Sequence, residues 1–130
     1  MSSYTPSARL AALAAKVISG HPNLQHLDDE NCRIAYQTAD FAKKSGEKLV
    51  YADTERVKDK YKGLMPWDFV VTFYWPNCEI LTDDRLEKLM YHELRHVGFN
   101  GDGTYSIIPH DVEDFRDVID TWGLDWISGG

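Results

Sequence analysis

The chain has 130 residues, of which 43% are hydrophobic and 27% are charged, and its formal net charge is −7 at pH 7. This length and composition predict one globular domain, residues 1–130, with enough apolar side chains for a packed core. The acidic balance argues against a nucleic-acid partner, whose binding surface is normally basic. No apolar stretch is long enough to span a bilayer or typical of a signal peptide, so we expect a cytoplasmic protein that has no membrane partner.

Two helices are predicted in the first third of the chain. The first has Thr5 as its expected N-cap, Pro6 in the first helical position and Gly20 at its end. The second has Asp28 as its expected N-cap and Gly46 as its stop, with small residues along one face that suit close packing. Both helices are interpreted as scaffold.

Four other possible metal ligands lack a ligand-like spacing. His21 and His26 fall in the loop between the predicted helices, and loop histidines are usually solvated. Cys32 and Cys78 are isolated from each other and form no C-x-x-C pair. We therefore expect two reduced core cysteines rather than a disulfide or a metal knuckle.

The hydrophobic pattern changes after Gly46. Residues 48–51 predict a short strand, and the charged segment 53–62 predicts an exposed extended stretch or a short helical turn. Residues 68–75 are almost all β-branched or aromatic and give the clearest strand in the chain. Because this apolar run is nearly continuous, we expect the strand to be buried on both faces.

The strongest motif is His92-Glu93-Leu94-Arg95-His96, which has the pattern H-E-x-x-H. It lies in a predicted helix that Thr82 or Asp83 can cap and that Gly98 ends. Helical residues four apart lie on one face, so the two imidazoles can reach one tetrahedral metal ion. Glu93 lies at the edge of that face, where it can contact a metal-bound water and act as a general base.

A third ligand is needed, because two histidines leave the coordination shell incomplete. Catalytic zinc sites use three protein ligands and keep a water. His110 is the expected third ligand, since it begins a last predicted helix, residues 111–122, after a Gly/Asp-rich segment long enough to return the chain to the metal. A carboxylate from Glu113 or Asp114 is the alternative. Glu113 is also interpreted as a partner that orients an imidazole, or as a cap.

The H-E-x-x-H motif, the Gly/Asp-rich turn and the sequence His110-Asp111-Val112-Glu113-Asp114-Phe115 resemble the phage metallopeptidase family. This resemblance runs from about Asp68 to the C-terminus. More distantly, the motifs are similar to those of SprT-like zinc proteases. The resemblance implies a small α+β, zincin-like domain with N-terminal helices, a short sheet beside the H-E-x-x-H helix and a C-terminal helix. By analogy with zinc peptidases, the edge of the strand beside the active helix can bind an extended peptide.

The motif and the resemblance together predict a zinc-dependent metallopeptidase that acts on a protein or peptide substrate. Zn²⁺ bound by His92, His96 and His110 lowers the pKa of a water, and Glu93 accepts its proton as the water attacks the peptide bond. Tyr105 can assist at the oxyanion or simply pack on a short strand. Two alternatives stay open: a metal-stabilised interaction module of a phage or mobile element without turnover, and a SprT-like DNA-associated protease, which the acidic balance disfavours.

Overall fold

A four-stranded sheet and the helices packed against it form the frame of a mixed α+β fold. The computed structural model describes residues 3–28, 32–100 and 105–108. Two short 3-10 helices, Pro22–Leu27 and Asp59–Tyr61, lie between the other elements. The strands and α-helices are, in chain order, β1 Tyr4–Pro6, α1 Ala8–Gly20, β2 Ile34–Ala39, β3 Lys43–Ser45, β4 Lys48–Val50, β5 Ala52–Arg56, β6 Phe69–Tyr74, α2 Trp75–Cys78, α3 Asp83–Leu94, β7 Val97–Phe99 and β8 Tyr105–Ile107.

The main sheet has the strand order β1-β2-β6-β5. Strand β6 lies in its centre, parallel to β2 and antiparallel to β5. Every residue of β6 except Val70 is buried, which confirms the strand and the two-sided burial predicted for residues 68–75. The strand ends one residue earlier than predicted, because Trp75 begins the short helix α2.

Helices α1 and α3 pack on each other and on one face of the main sheet. Side chains one or two turns apart on α1, and every second side chain on β6, point into this core. The buried cluster includes Leu10, Ala14 and Val17 of α1, Phe69, Val71 and Phe73 of β6, and Leu86, Leu89 and Met90 of α3. The core therefore holds the start and the end of α3 against the sheet.

The N-terminal helix confirms the predicted end at Gly20 but begins later than predicted. Ser7 is its N-cap, with its hydroxyl accepting a hydrogen bond from the Leu10 amide at 3.1 Å. Thr5 and Pro6 instead belong to β1, where they pair with Thr38 and Gln37 of β2. Pairing with the sheet therefore moves the first helical turn two residues along the chain.

The prediction of a second helix from Asp28 to about residue 45 is wrong. The chain forms β2 and then the β3–β4 hairpin, and Gly46 lies in the hairpin turn with a φ of +64°. Ile34, Tyr36 and Thr38 occupy alternate positions, which is the period of a strand, and β2 has a full parallel partner in β6. Pairing with β6 therefore determines the structure of this segment, although the spacing of its small residues is typical of a helix face.

Three smaller predictions are settled in the same region. Strand β4, Lys48–Val50, confirms the short strand, and residues 53–62 contain both an extended stretch and a helical turn. That segment is not wholly exposed, because Val57 is buried. Cys32 and Cys78 are both buried and reduced, as predicted.

The predicted C-terminal helix, 111–122, lies outside the described residues. Within the described residues, no helix combines the length and the apolar character that crossing a membrane requires.

Candidate metal centre

Helix α3 has a well-defined start that fixes the register of the motif at its other end. Thr82 has extended backbone angles, and its side chain accepts a hydrogen bond from the Arg85 amide at 3.3 Å. Asp83 and Asp84 follow in the first turn, where carboxylates interact favourably with the positive end of the helix dipole. Of the two predicted caps, the structure therefore selects Thr82.

The H-E-x-x-H motif spans the end of α3 rather than its middle. The helix ends at Leu94, and Arg95 and His96 form the turn that follows, in which the His96 amide donates to the Glu93 carbonyl at 3.1 Å. This turn keeps the imidazole of His96 beside that of His92, with ring centroids 5.0 Å apart and ring planes nearly perpendicular.

His92, Glu93 and His96 form one buried group. Their exposed fractions are 9%, 4% and 6%, and one possible ligand atom from each lies within 4.8 Å of the other two. Two imidazoles and a carboxylate held this close, with little contact to water, suit a single divalent cation. The structure thus brings together three of the four residues assigned to the site from the sequence. Their roles as metal ligands and as general base stay predictions.

The ring of His96 is oriented by a backbone carbonyl. Its Nδ1 lies 2.6 Å from the carbonyl oxygen of Ile108, and the Ile108 amide donates to the carbonyl of His96, also at 2.6 Å. Because a carbonyl only accepts hydrogen bonds, Nδ1 carries the proton and Nε2 is the nitrogen that can bind a cation. A bond of this kind, which fixes both tautomer and ring direction, is typical of metal-binding histidines.

The hairpin formed by β7 and β8 brings Ile108 to this position. Val97 pairs with Ile107 and Gly98 with Ser106. A Cβ atom on Gly98 would lie 2.3 Å from Cδ1 and 2.6 Å from Cγ1 of Ile108. Glycine at this position therefore leaves room for the Ile108 side chain, and with it for the carbonyl that holds His96.

His26 and Tyr105 anchor the hairpin to the N-terminal part of the chain. The His26 Nε2 lies 2.8 Å from the carbonyl oxygen of Val97, and the Tyr105 hydroxyl donates to the carbonyl of His26 at 3.0 Å. The ring of His21 packs on Tyr91, with centroids 4.6 Å apart. Both loop histidines are half-buried, so the expectation that they are solvated is wrong. The contact of Tyr105 supports its packing role over a role at the oxyanion.

Glu93 is a buried carboxyl group in an environment that favours its neutral form. Burial raises the pKa of Glu93 to about 8; the hydrogen bond from Thr54 acts to lower it and the nearby charge of Asp53 to raise it. A cation beside a carboxyl group favours the carboxylate, which is the form able to accept a proton. The donor set and this buried acid therefore fit a bound divalent metal.

Thr54 contacts Glu93 and was not found by the sequence analysis. Its hydroxyl donates to Oε1 of Glu93 at 2.9 Å and lies 3.2 Å from the Glu93 carbonyl oxygen. The sequence assigns Thr54 to a charged, exposed segment. Alternation along β5 places it on the same face as Ala52, but nothing local indicates that α3 lies against that face. The predicted third ligand His110 and its alternatives Glu113 and Asp114 lie outside the described residues.

The fold and the buried His92-Glu93-His96 group define a small α+β protein with the arrangement of a zincin-like domain and a candidate metal site. The chain matches the family described as "Putative phage metallopeptidase" over residues 2–128, and it belongs to that family. The match includes the N-terminal half of the chain, beyond the region from Asp68 in which the resemblance is visible in the sequence. Neither the curated proteins nor the solved structures give a significant match.

Proposed function

We propose that the protein is a zinc-dependent metallopeptidase that hydrolyses peptide bonds. The observation that carries this proposal is the buried convergence of two imidazoles with Glu93, a carboxyl group whose pKa is raised by burial and whose partner among the described residues is the neutral hydroxyl of Thr54. A carboxyl group buried in this way is costly unless it is neutral or paired. A cation at the two histidines removes that cost, and imidazole ligands suit zinc.

His92 and His96 hold the metal in this proposal, together with His110. The contact between His96 and Ile108 supports the third ligand. His110 follows Ile108 by two residues in the sequence. A carboxylate from Glu113 or Asp114 is the alternative third ligand, as expected from the sequence.

Glu93 is the general base of the proposed reaction. When bound, zinc supplies a Lewis acid that makes a water acidic near neutral pH and polarises the carbonyl of the peptide bond. Glu93 takes the proton of the attacking water as the new carbon–oxygen bond forms. It then gives that proton to the amine as the carbon–nitrogen bond breaks. Both transfers need the carboxylate fixed close to the scissile bond.

The substrate is a peptide segment in an extended conformation. The strand predicted at residues 68–75 cannot receive it, because β6 is paired on both sides. Among the described strands, β5 is one of the two edges of the main sheet, the other being β1; it packs against α3 and also lies near β8. A peptide that adds to this edge would run past Glu93.

The other two functions considered from the sequence have less support. A metal-stabilised interaction module has no need of a buried carboxyl group whose pKa is raised, and Glu93 is such a group. A DNA-associated protease needs a basic surface, whereas the chain carries a net charge of −7.

Two variants of the purified protein test the proposal. We expect Glu93→Gln to keep zinc and to lose peptide hydrolysis by about 10²–10⁴-fold, the usual contribution of a general base. We expect His96→Ala to lose the zinc itself. Metal content is measured by mass spectrometry, and hydrolysis by following a library of mixed peptides with liquid chromatography. Full activity in Glu93→Gln, or wild-type protein that binds no zinc, would refute the proposal.

A further inference from the structure

We propose that Thr54 is a positioning residue that fixes the carboxyl group of Glu93 for proton transfer; this inference rests on the proposed function. The two residues meet from different parts of the chain. Thr54 lies in the middle of β5, paired opposite Val71, and Glu93 lies in the last turn of α3. The hydrogen bond of 2.9 Å between them joins the sheet to the motif.

The hydrogen bond selects one of the two oxygens of Glu93. Thr54 occupies Oε1, so the other oxygen, Oε2, is the one that can face a reacting water. A glutamate side chain has several rotatable bonds, and fixing them in advance removes part of the entropic cost of reaching the reactive geometry. Among the described residues, the Thr54 hydroxyl is the hydrogen-bond partner of this carboxyl group.

A hydroxyl group is suited to this task because it is neutral. An arginine or lysine at the same position would hold the carboxylate more strongly, but it would also form an ion pair that weakens the carboxylate as a base. Thr54 is half-buried on the strand face that meets α3. It therefore holds Glu93 from the side of the sheet.

A purely structural role is the competing explanation, in which the hydrogen bond only ties β5 to α3. The chain offers a matched control. Thr72 is a buried threonine on the neighbouring strand β6, and its hydroxyl accepts a hydrogen bond from the Gln37 side chain at 3.0 Å. Changing either threonine to valine keeps the shape of the side chain and removes one hydrogen bond from the sheet.

The kinetic test compares Thr54→Val, Thr54→Ser and Thr72→Val as zinc-loaded proteins, on the best peptide substrate of the wild type. We expect kcat of Thr54→Val to fall by about 10–100-fold, the usual effect of losing a partner that orients a reacting group. KM and zinc affinity should stay within about twofold. Thr54→Ser, which keeps the hydroxyl, should recover most of kcat, and Thr72→Val should retain all of it. Equal kcat in Thr54→Val and wild type, or no recovery in Thr54→Ser, would overturn the assignment.

A second measurement needs no substrate and separates this inference from the proposed function. Crystal structures of zinc-loaded wild type and Thr54→Val are compared for the conformation of Glu93. We expect one conformer in the wild type, with Oε1 at the Thr54 hydroxyl, and a rotated or divided carboxyl group in the variant. An unchanged Glu93 in the variant would overturn the positioning role even if the protein hydrolyses peptides. A wild type that binds zinc and hydrolyses no peptide would refute the proposed function while the crystal structures still decide how Glu93 is held.

Discussion

Strand β5 carries two successive polar side chains that meet opposite electrostatic environments on its two faces. On one face, Asp53 accepts hydrogen bonds from the Lys43 ammonium group and the Tyr74 hydroxyl, each at 2.7 Å. On the other face, Thr54 donates to Glu93, a carboxyl group that is only 4% exposed. One acid has a cationic partner, and the other has a neutral one.

The pKa shifts on the two faces have opposite consequences for charge. The hydrogen bond with Asp53 raises the pKa of Lys43, which keeps the lysine charged and the pair intact. Burial raises the pKa of Glu93 to about 8, which disfavours its charge. Asp53 therefore has a cation in Lys43, whereas Glu93 meets the neutral hydroxyl of Thr54. This difference indicates which of the two acids serves chemistry.

The largest expected effect is the pH dependence of stability in the metal-free protein. Between pH 4.5 and 8, Glu93 keeps its proton when folded but releases it when unfolded. The unfolded state then binds fewer protons, so the free energy of unfolding falls as the pH rises, by up to about 1.4 kcal/mol per pH unit. It levels off above pH 8, where both states are ionised. Urea denaturation with a chelator present measures this, and Glu93→Gln should lack the fall. Parallel pH profiles for the two proteins would contradict the assigned environment of Glu93.

A smaller effect on stability is expected from a substitution in the β7–β8 hairpin, which supports the candidate metal site. Gly98→Ala places a Cβ atom against the Ile108 side chain and should destabilise the protein by about 1–3 kcal/mol, as overpacking usually does. Zinc affinity should fall as well, because Ile108 supplies the carbonyl that orients His96. Chemical denaturation and competition with a chelating dye measure both quantities. Gly63→Ala is the control, since no atom lies within 4 Å of its added Cβ. Undiminished zinc affinity in Gly98→Ala would show that the hairpin does not support His96.

The smallest expected effect on stability comes from removing the cationic partner of Asp53. Lys43→Met removes the cation from Asp53 and should lower the free energy of unfolding by about 1 kcal/mol at neutral pH. The loss is modest because the side chains of Lys43 and Asp53 are 42% and 25% exposed. Denaturation midpoints measure it, and peptide hydrolysis should not change. If Lys43→Met lowered kcat as much as Thr54→Val, the contact between Lys43 and Asp53 would also have a role in the reaction.

The parts of the fold that the sequence predicts correctly carry local signals. Helix α3 has a cap and an apolar stripe, and β6 is apolar at nearly every position. The end of α3 was predicted too late, because the helix ends at Leu94 and the expected stop, Gly98, lies in β7. Residues 34–39 carry two periods at once, because alanines at helical spacing coincide with an alternation of larger side chains. The presence of β6 as a neighbour decides between them, and that neighbour is distant in the sequence. Propensity alone cannot supply this information.

The same distinction applies to the candidate site. His92, Glu93 and His96 come from one motif, and the last turn of α3 with the turn that follows it brings them together. Thr54 lies 39 residues before Glu93, and the contact with it depends on how β5 packs against α3. The carbonyl of Ile108 has no sequence signal, since every residue carries one. Sequence analysis can therefore identify the reactive groups, but the groups that hold them become visible only in the folded chain.

The reciprocal hydrogen bonds between His96 and Ile108 also affect the energetics of metal binding. They close a loop of 12 residues, and closing a flexible loop of that length costs about 2 kcal/mol in chain entropy. This chain entropy is lost when the protein folds, before any ion binds. An incoming ion would thus find the ring of His96 already held by Ile108, and more of its intrinsic binding energy would appear as affinity.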